Sequence, residues 1–190
     1  MNKAVFLDRD GVINKLVFNS KTGEYESPHY VEDLELYSWT LRSLRELREM
    51  GYLLFLVSNQ PSFAKGKTSI ENIRAIHDKL HRYFLDYHID FAEYYYCYHH
   101  PDGMVPELTV ECQCRKPSNL FLAMAYDKYQ FSIQSSWLIG DQDSDIFCGQ
   151  SFGLRTILVD ENGSCNKRGA SLPDFKAENL EDAVKIISEN

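Results

Sequence analysis

Short runs of consecutive apolar residues recur along the chain at Ala4-Val5-Phe6-Leu7, Leu53-Leu54-Phe55-Leu56-Val57, Ser136-Trp137-Leu138-Ile139 and Thr156-Ile157-Leu158-Val159. A strand with one wet face alternates apolar and polar residues, so a strand without alternation is one buried on both faces. Amphipathic stretches lie between these runs. Leu41, Leu44, Leu47 and Met50 recur every three residues and Gly51 follows as a stop signal. Ile70, Ile73, Ile76, Leu80 and Phe84 make a second helical stripe, and Tyr94-Tyr95-Tyr96 reads as a further strand. Together these predict an α/β fold, a doubly wound, Rossmann-like parallel sheet with helices on both faces. No repeat or linker interrupts the pattern, so one domain over residues 1–190 is expected, long enough to bury a sizeable core. Residues 98–117 are the exception, a Pro- and Cys-containing excursion without periodicity.

The formal net charge of -8 argues against a broad nucleic-acid surface or an anionic membrane partner. It leaves an anionic substrate open, because a few local cations can override the global sign within one pocket. No apolar run approaches the roughly 18 residues of a membrane helix. Asp8 also arrives before a signal-peptide apolar region could form, so a cytoplasmic protein is expected. Of the five cysteines, three fall within Cys97 to Cys114 beside histidines, which suits a metal better than a disulfide framework. Cys148 and Cys165 stand apart and read as structural or incidental.

In open α/β sheets ligands bind beyond the carboxyl ends of the strands. Three of the predicted strands end in polar clusters there: Asp8-Arg9-Asp10-Gly11, Ser58-Asn59-Gln60, and Gly140-Asp141-Gln142-Asp143-Ser144-Asp145. Asp8 and Asp10 are two apart and share one face while the chain stays extended. Carboxylates that close repel, and a hard divalent cation relieves the repulsion. With Asp141 they offer an oxygen-rich site suited to magnesium. An aspartate beside such an ion can attack phosphorus, and a second acid can protonate the leaving oxygen and later deprotonate water. Asp143 reads instead as a cap of the following helix.

Phe6-Leu7-Asp8-Arg9-Asp10-Gly11-Val12-Ile13-Asn14 resembles the first motif of the haloacid dehalogenase (HAD) superfamily of phosphatases. Ser58-Asn59-Gln60 is similar to the second motif, Lys116 to the third, and Gly140-Asp141 with Asp145 to the fourth, in the family's order. The resemblance implies Asp8 as nucleophile and Asp10 as general acid/base. It implies magnesium held by the Asp8 carboxylate, the Asp10 main-chain carbonyl and Asp141, with Asp145 in support. Ser58, Asn59 and Gln60 would lie at the transferring phosphate, and Lys116 would neutralise it and orient Asp8. A receiver-like signalling module also groups acids and a lysine on a parallel sheet, but its phosphorylated aspartate sits on a separate strand from the acid pair. A catalytically inactive binding relative is the other rival, against which the intact acids argue.

Cys97-Tyr98-His99 and Cys112-Gln113-Cys114 offer three thiols and an imidazole, a set suited to a closed, tetrahedral, structural zinc site. Such an ion would pin the irregular loop and position Arg115 and Lys116; buried free thiols are the alternative, and His100 competes with His99 as ligand. The run Cys97 to Pro101, a loop, then Cys112 to Pro117 is similar to the D-glycero-D-manno-heptose 1,7-bisphosphate phosphatase family. Related histidinol-phosphate phosphatases typically have a much shorter loop than the twelve residues between His99 and Cys112 here. The resemblance implies a sugar-phosphate substrate, contacted by Arg115, and no large cap domain. The chain departs from that family at Pro61-Ser62-Phe63, at Gln142 where a lysine commonly stands, and in a longer segment from Lys15 to Tyr37. His77 and His81, four apart on a predicted helix, read as a solvated face, and Lys65 and Lys67 as candidates for attracting an anion.

Overall fold

In the computed structural model, which describes residues 1–190, the unbroken apolar strands are explained by two cores on opposite faces of one sheet. Along the chain the elements are β1 (Lys3–Leu7), a hairpin of β2 (Val17–Asn19) and β3 (Glu24–Glu26), α1 (Thr40–Glu49), β4 (Tyr52–Asn59), α2 (Ile70–Asp86) and β5 (Phe91–Cys97). There follow α3 (Leu120–Tyr129), β6 (Trp137–Gly140), α4 (Asp143–Phe152), β7 (Arg155–Val159), β8 (Phe175–Ala177) and α5 (Leu180–Glu189). Six strands form an all-parallel sheet in the order β5-β4-β1-β6-β7-β8. Numbered within the sheet this is the 3-2-1-4-5-6 order of a doubly wound fold, whose direction of winding reverses beside β1.

Val5 and Leu7 point to the larger core with Leu54, Leu56, Ile139 and Ile157, covered by α1, α2 and α5. Ala4 and Phe6 point to the other face with Phe55, Val57 and Leu138, covered by α3 and Cys148 of α4. Phe6 and Phe55, paired across the β1–β4 register, stack at 4.7 Å between ring centroids. Residues of the central strands β1, β4, β6 and β7 thus remove their side chains from water whichever way they point, at about 25 cal/mol per Å² of apolar surface.

The predicted helices form, and Gly51 takes the left-handed φ of +83° that ends α1. Asp143 does not cap α4: it is the first helical residue, and Gln142 stands at the cap position. Its carboxylate instead accepts from the backbone N–H groups of Ala170 at 2.8 Å and Ser171 at 3.0 Å, tying a distant loop to the helix start. The segment from Lys15 to Tyr37 contributes the β2–β3 hairpin, pinned by Ser27 Oγ to Ser62 Oγ at 3.1 Å and by Lys67 Nζ to Glu26 Oε1 at 2.6 Å. No helix is long and apolar enough to cross a membrane.

Candidate active site

Adjacent parallel strands end at one edge of the sheet, and this brings Asp8 after β1, Asn59 at the end of β4 and Asp141 after β6 together. Two donors converge on one oxygen of Asp8: the Arg9 backbone N–H reaches Oδ1 at 2.7 Å and Lys116 Nζ reaches it at 2.9 Å. Oδ2 is left to face the cleft that Asp8 lines. Lys116 is buried and also meets Asp145 Oδ1 at 2.5 Å and donates to the Val57 carbonyl at 2.8 Å. Burial alone would lower its ammonium, but Asp145 and Asp8 outweigh burial and raise it above the usual lysine value.

Asp141 is 0% exposed; its Oδ2 accepts a short bond from Ser164 Oγ, and its Oδ1 has no hydrogen-bond partner. Burial, then the charges of Asp8 and Asp145, push its carboxyl well above the ordinary range. Asp145 is pushed up to about 6, by burial first and against the pull of Lys116. Its other oxygen accepts from the Gln142 N–H at 3.1 Å at the start of α4. The backbone closes tightly around these acids. A Cβ at Gly11, whose φ is +88°, would collide with the Asp141 carboxylate, and one at Gly140 with Asp145.

Donor oxygens of Asp8, Asp141 and Asp145 all lie within 4.8 Å of one another. Three carboxylates face one lysine there, and one carboxylate oxygen is orphaned in the interior. A hard divalent cation with oxygen ligands fits this set and offsets its excess negative charge. The Asp10 carboxylate is not part of the cluster. It turns to Arg9, Asn14 and Gln60, the last donating from Nε2 at 2.5 Å.

The cleft above these groups has a volume of about 360 Å³. Of the sequence-predicted residues Asp8, Asp10, Asn59, Arg115 and Lys116 line it, whereas Ser58 and Gln60 are buried behind it. Asn59 exchanges two hydrogen bonds with the Lys116 backbone, at 3.0 and 3.2 Å, and so fixes the loop that carries the lysine. Lys65, Lys67 and Lys167 add three cations to Arg115 and Lys116, reversing within the cleft the negative sign of the whole chain. Burial, then the like charges of Lys67 and Arg115, pushes Lys65 below the usual lysine value. Tyr25 and Glu26 of the hairpin form the opposite wall. Ser164 and Lys167 come from the short 3₁₀ turn Asn162–Lys167, and nothing local in the sequence marks either.

Cys97 at the end of β5, His99, Cys112 and Cys114 also converge. The sulfur separations are 3.1 to 3.5 Å, and His99 Nδ1 lies 3.3 Å from Cys114 Sγ and 3.8 Å from Cys97 Sγ. A tetrahedron with zinc–sulfur bonds of about 2.3 Å has edges of roughly 3.7 Å, so the donors fit zinc in type and in spacing. His99 is the histidine in the cluster; His100 Nδ1 accepts from the Asp102 N–H at 3.1 Å. His77 and His81 are not on a solvated face. Each is half-buried, with Nδ1 3.0 Å from the hydroxyl of Tyr96 and of Tyr94 respectively, because α2 lies over β5.

The HAD-hydrolase-like family model matches residues 113–183. D-glycero-alpha-D-manno-heptose-1,7-bisphosphate 7-phosphatase of Photorhabdus laumondii is 38% identical over 158 residues, 83% of this chain and 82% of the relative. D-glycero-beta-D-manno-heptose-1,7-bisphosphate 7-phosphatase of Vibrio cholerae is 31% identical, covering 97% of this chain and 95% of the relative. The crystal structure of D,D-heptose 1,7-bisphosphate phosphatase from B. bronchiseptica, complexed with magnesium and phosphate, shares the fold with a TM-score of 0.81 at 23% identity, over 98% of both chains.

Proposed function

The chain belongs to the D-glycero-D-manno-heptose 1,7-bisphosphate phosphatase family of the HAD superfamily, and from that premise we propose that it removes the C7 phosphate of a heptose 1,7-bisphosphate by a magnesium-dependent, two-step reaction at Asp8. The observation that carries the proposal is the placing of the Asp8 Oδ1 between Lys116 and the Arg9 N–H, with Oδ2 toward a cation-lined cleft.

Asp8, Asp141 and the main-chain carbonyl of Asp10 would hold magnesium, with Asp145 in support. When bound, the ion screens the repulsion between a carboxylate and a phosphate dianion. The chain's own groups carry the rest. Asp8 Oδ2 forms a bond to phosphorus as the bond to the sugar oxygen breaks, giving an aspartyl phosphate. Asp10 donates a proton to the departing oxygen, then takes one from the water that hydrolyses the acyl phosphate and regenerates Asp8. Lys116 holds Asp8 and offsets charge on the phosphoryl oxygens, and Asn59 keeps Lys116 in place. Arg115, Lys65 and Lys167 suit the remaining negative charge of a bisphosphate. Cys97, His99, Cys112 and Cys114 would bind a structural zinc that keeps Arg115 and Lys116 at the cleft.

Phosphate release with magnesium, compared across both anomers of heptose 1,7-bisphosphate, histidinol phosphate and sugar monophosphates, tests this. The heptose is expected to exceed the others in kcat/KM, and Asp8→Asn to lose roughly 10³-fold or more. Preference for histidinol phosphate would move the substrate assignment while keeping the chemistry. Turnover undiminished in Asp8→Asn would remove the nucleophile.

A further inference from the structure

Arg9 and Gln60 are 0% and 1% exposed, and neither lines the cleft. Placing a guanidinium in the interior costs several kcal/mol unless its donors are used. Arg9 uses two of its three nitrogens here, Nη1 having no hydrogen-bond partner: Asp10 Oδ1 accepts from Nε at 3.1 Å and Nη2 at 3.0 Å, while Nη2 also reaches Oδ2 at 3.1 Å. The same Nη2 donates to Gln60 Oε1 at 2.8 Å. With its carbonyl oxygen so occupied, Gln60 turns its Nε2 the other way, to Asp10 Oδ2 at 2.5 Å and to Ser58 Oγ at 3.0 Å. Asn14 Nδ2 completes the cage at 2.9 Å from Asp10 Oδ1.

The amide is directional here. Reversed, it would set its NH₂ against the guanidinium and its oxygen against the carboxylate. A carboxylate in its place accepts at both ends, and an apolar side chain offers neither function. Gln60 therefore joins a buried cation to a carboxylate that is itself at the wall of the cleft, while Gln60 does not line the cleft.

We infer that Gln60, oriented by Arg9, is a positioning residue that holds the Asp10 carboxylate at the leaving-group oxygen, and that it serves proton transfer and not phosphate binding. The inference rests on the reading of Asp10 as the general acid/base. A carboxylate with one donor removed can turn about its χ angles, and misplacement of a catalytic group by about 1 Å can cost on the order of 10² in rate.

Leaving-group dependence separates this role from a packing role. kcat/KM covers the steps through phosphoryl transfer, and it is measured for a sugar phosphate and for p-nitrophenyl phosphate. The alkoxide of a sugar needs a proton as it departs; p-nitrophenolate needs little. In Gln60→Met and in the isosteric Gln60→Glu, kcat/KM for the sugar phosphate is expected to fall about tenfold or more. The p-nitrophenyl ester should stay within about twofold, which also reports that the variants are folded with a working Asp8. Asp10→Asn sets the scale and should show the same selectivity more strongly. Equal losses on both esters, or none, in the Gln60 variants while Asp10→Asn stays selective would overturn the inference alone. An unselective Asp10→Asn would remove the acid/base reading of Asp10, and the inference with it.

Discussion

Two clusters in this molecule fit metals, and they are built in opposite ways. Asp8 comes from the end of β1, and Asp141 and Asp145 from the β6–α4 connection more than 100 residues on, and the sheet brings the two together. Their donors are hard oxygens, one of them is orphaned, and the site borders a cleft. Cys97, His99, Cys112 and Cys114 come from one strand end and the loop that follows it, and they close on each other as three soft sulfurs and one imidazole. The first cluster exists because the fold is made. The second helps to make a part of the fold that has few apolar contacts of its own. They meet at Cys114-Arg115-Lys116, where the last thiol precedes the lysine by two residues.

The strongest way to break the comparison is Lys116→Met. It leaves Asp8 and Asp145 buried without their cation, and the expected loss is about 3–5 kcal/mol of stability in chemical denaturation together with a large fall in turnover. The zinc proposed for the thiol cluster should stay at one ion per chain if the clusters are independent; its loss would show that the lysine organises both.

Next in size is removal of zinc by a thiol-competing chelator, or Cys112→Ser. Opening the loop that the cluster closes should cost about 3 kcal/mol by loop entropy, or roughly 6–12 °C of unfolding midpoint at this chain length. The fall in kcat should be smaller than the fall in stability. A loss of kcat with the midpoint unmoved would give the thiol cluster a role in the chemistry.

The smallest effect expected is on pH dependence. Asp145 and Asp141 are both raised, chiefly by burial, so the folded state without a divalent cation favours their protonated forms. The Asp145 contribution is fully present below the unfolded carboxyl value and is lost as pH rises through about 6, and the raised Asp141 acts in the same direction. Thermal unfolding in the absence of divalent cations should therefore weaken from about pH 4 to about pH 7. Magnesium should restore more stability at the upper end of that window than at the lower, because it binds the anions. Stability rising with pH over that window without metal would contradict the burial of two acids beside Asp8.

Much of this was legible in the residues. The apolar runs at Ala4–Leu7, Leu53–Val57 and Thr156–Val159 read as doubly buried strands because alternation is absent, and both faces are in fact covered. Asp8 was visible because it directly follows the first of these runs, and Asp141 because it follows the Ser136–Ile139 run across Gly140 alone. Other features left no local trace. The β2–β3 hairpin has only three residues per strand, too few for a period to emerge, and β8 is equally short. His77 and His81 look like a polar face until Tyr96 and Tyr94 come to lie beneath them.

By itself the sequence determined the α/β class, the order of the motifs and the chemistry of both donor sets, since residue type and local spacing suffice for these. Tertiary structure alone decided that the Asp10 carboxylate is caged by Arg9, Asn14 and Gln60, and that Asp143 ties down a distant loop. It also placed Gln60 behind the cleft and brought Lys167 into it. The physical reason is the same in each case. A buried polar group must find its partner wherever the sheet and its connections deliver one, and those partners lie tens of residues away along the chain.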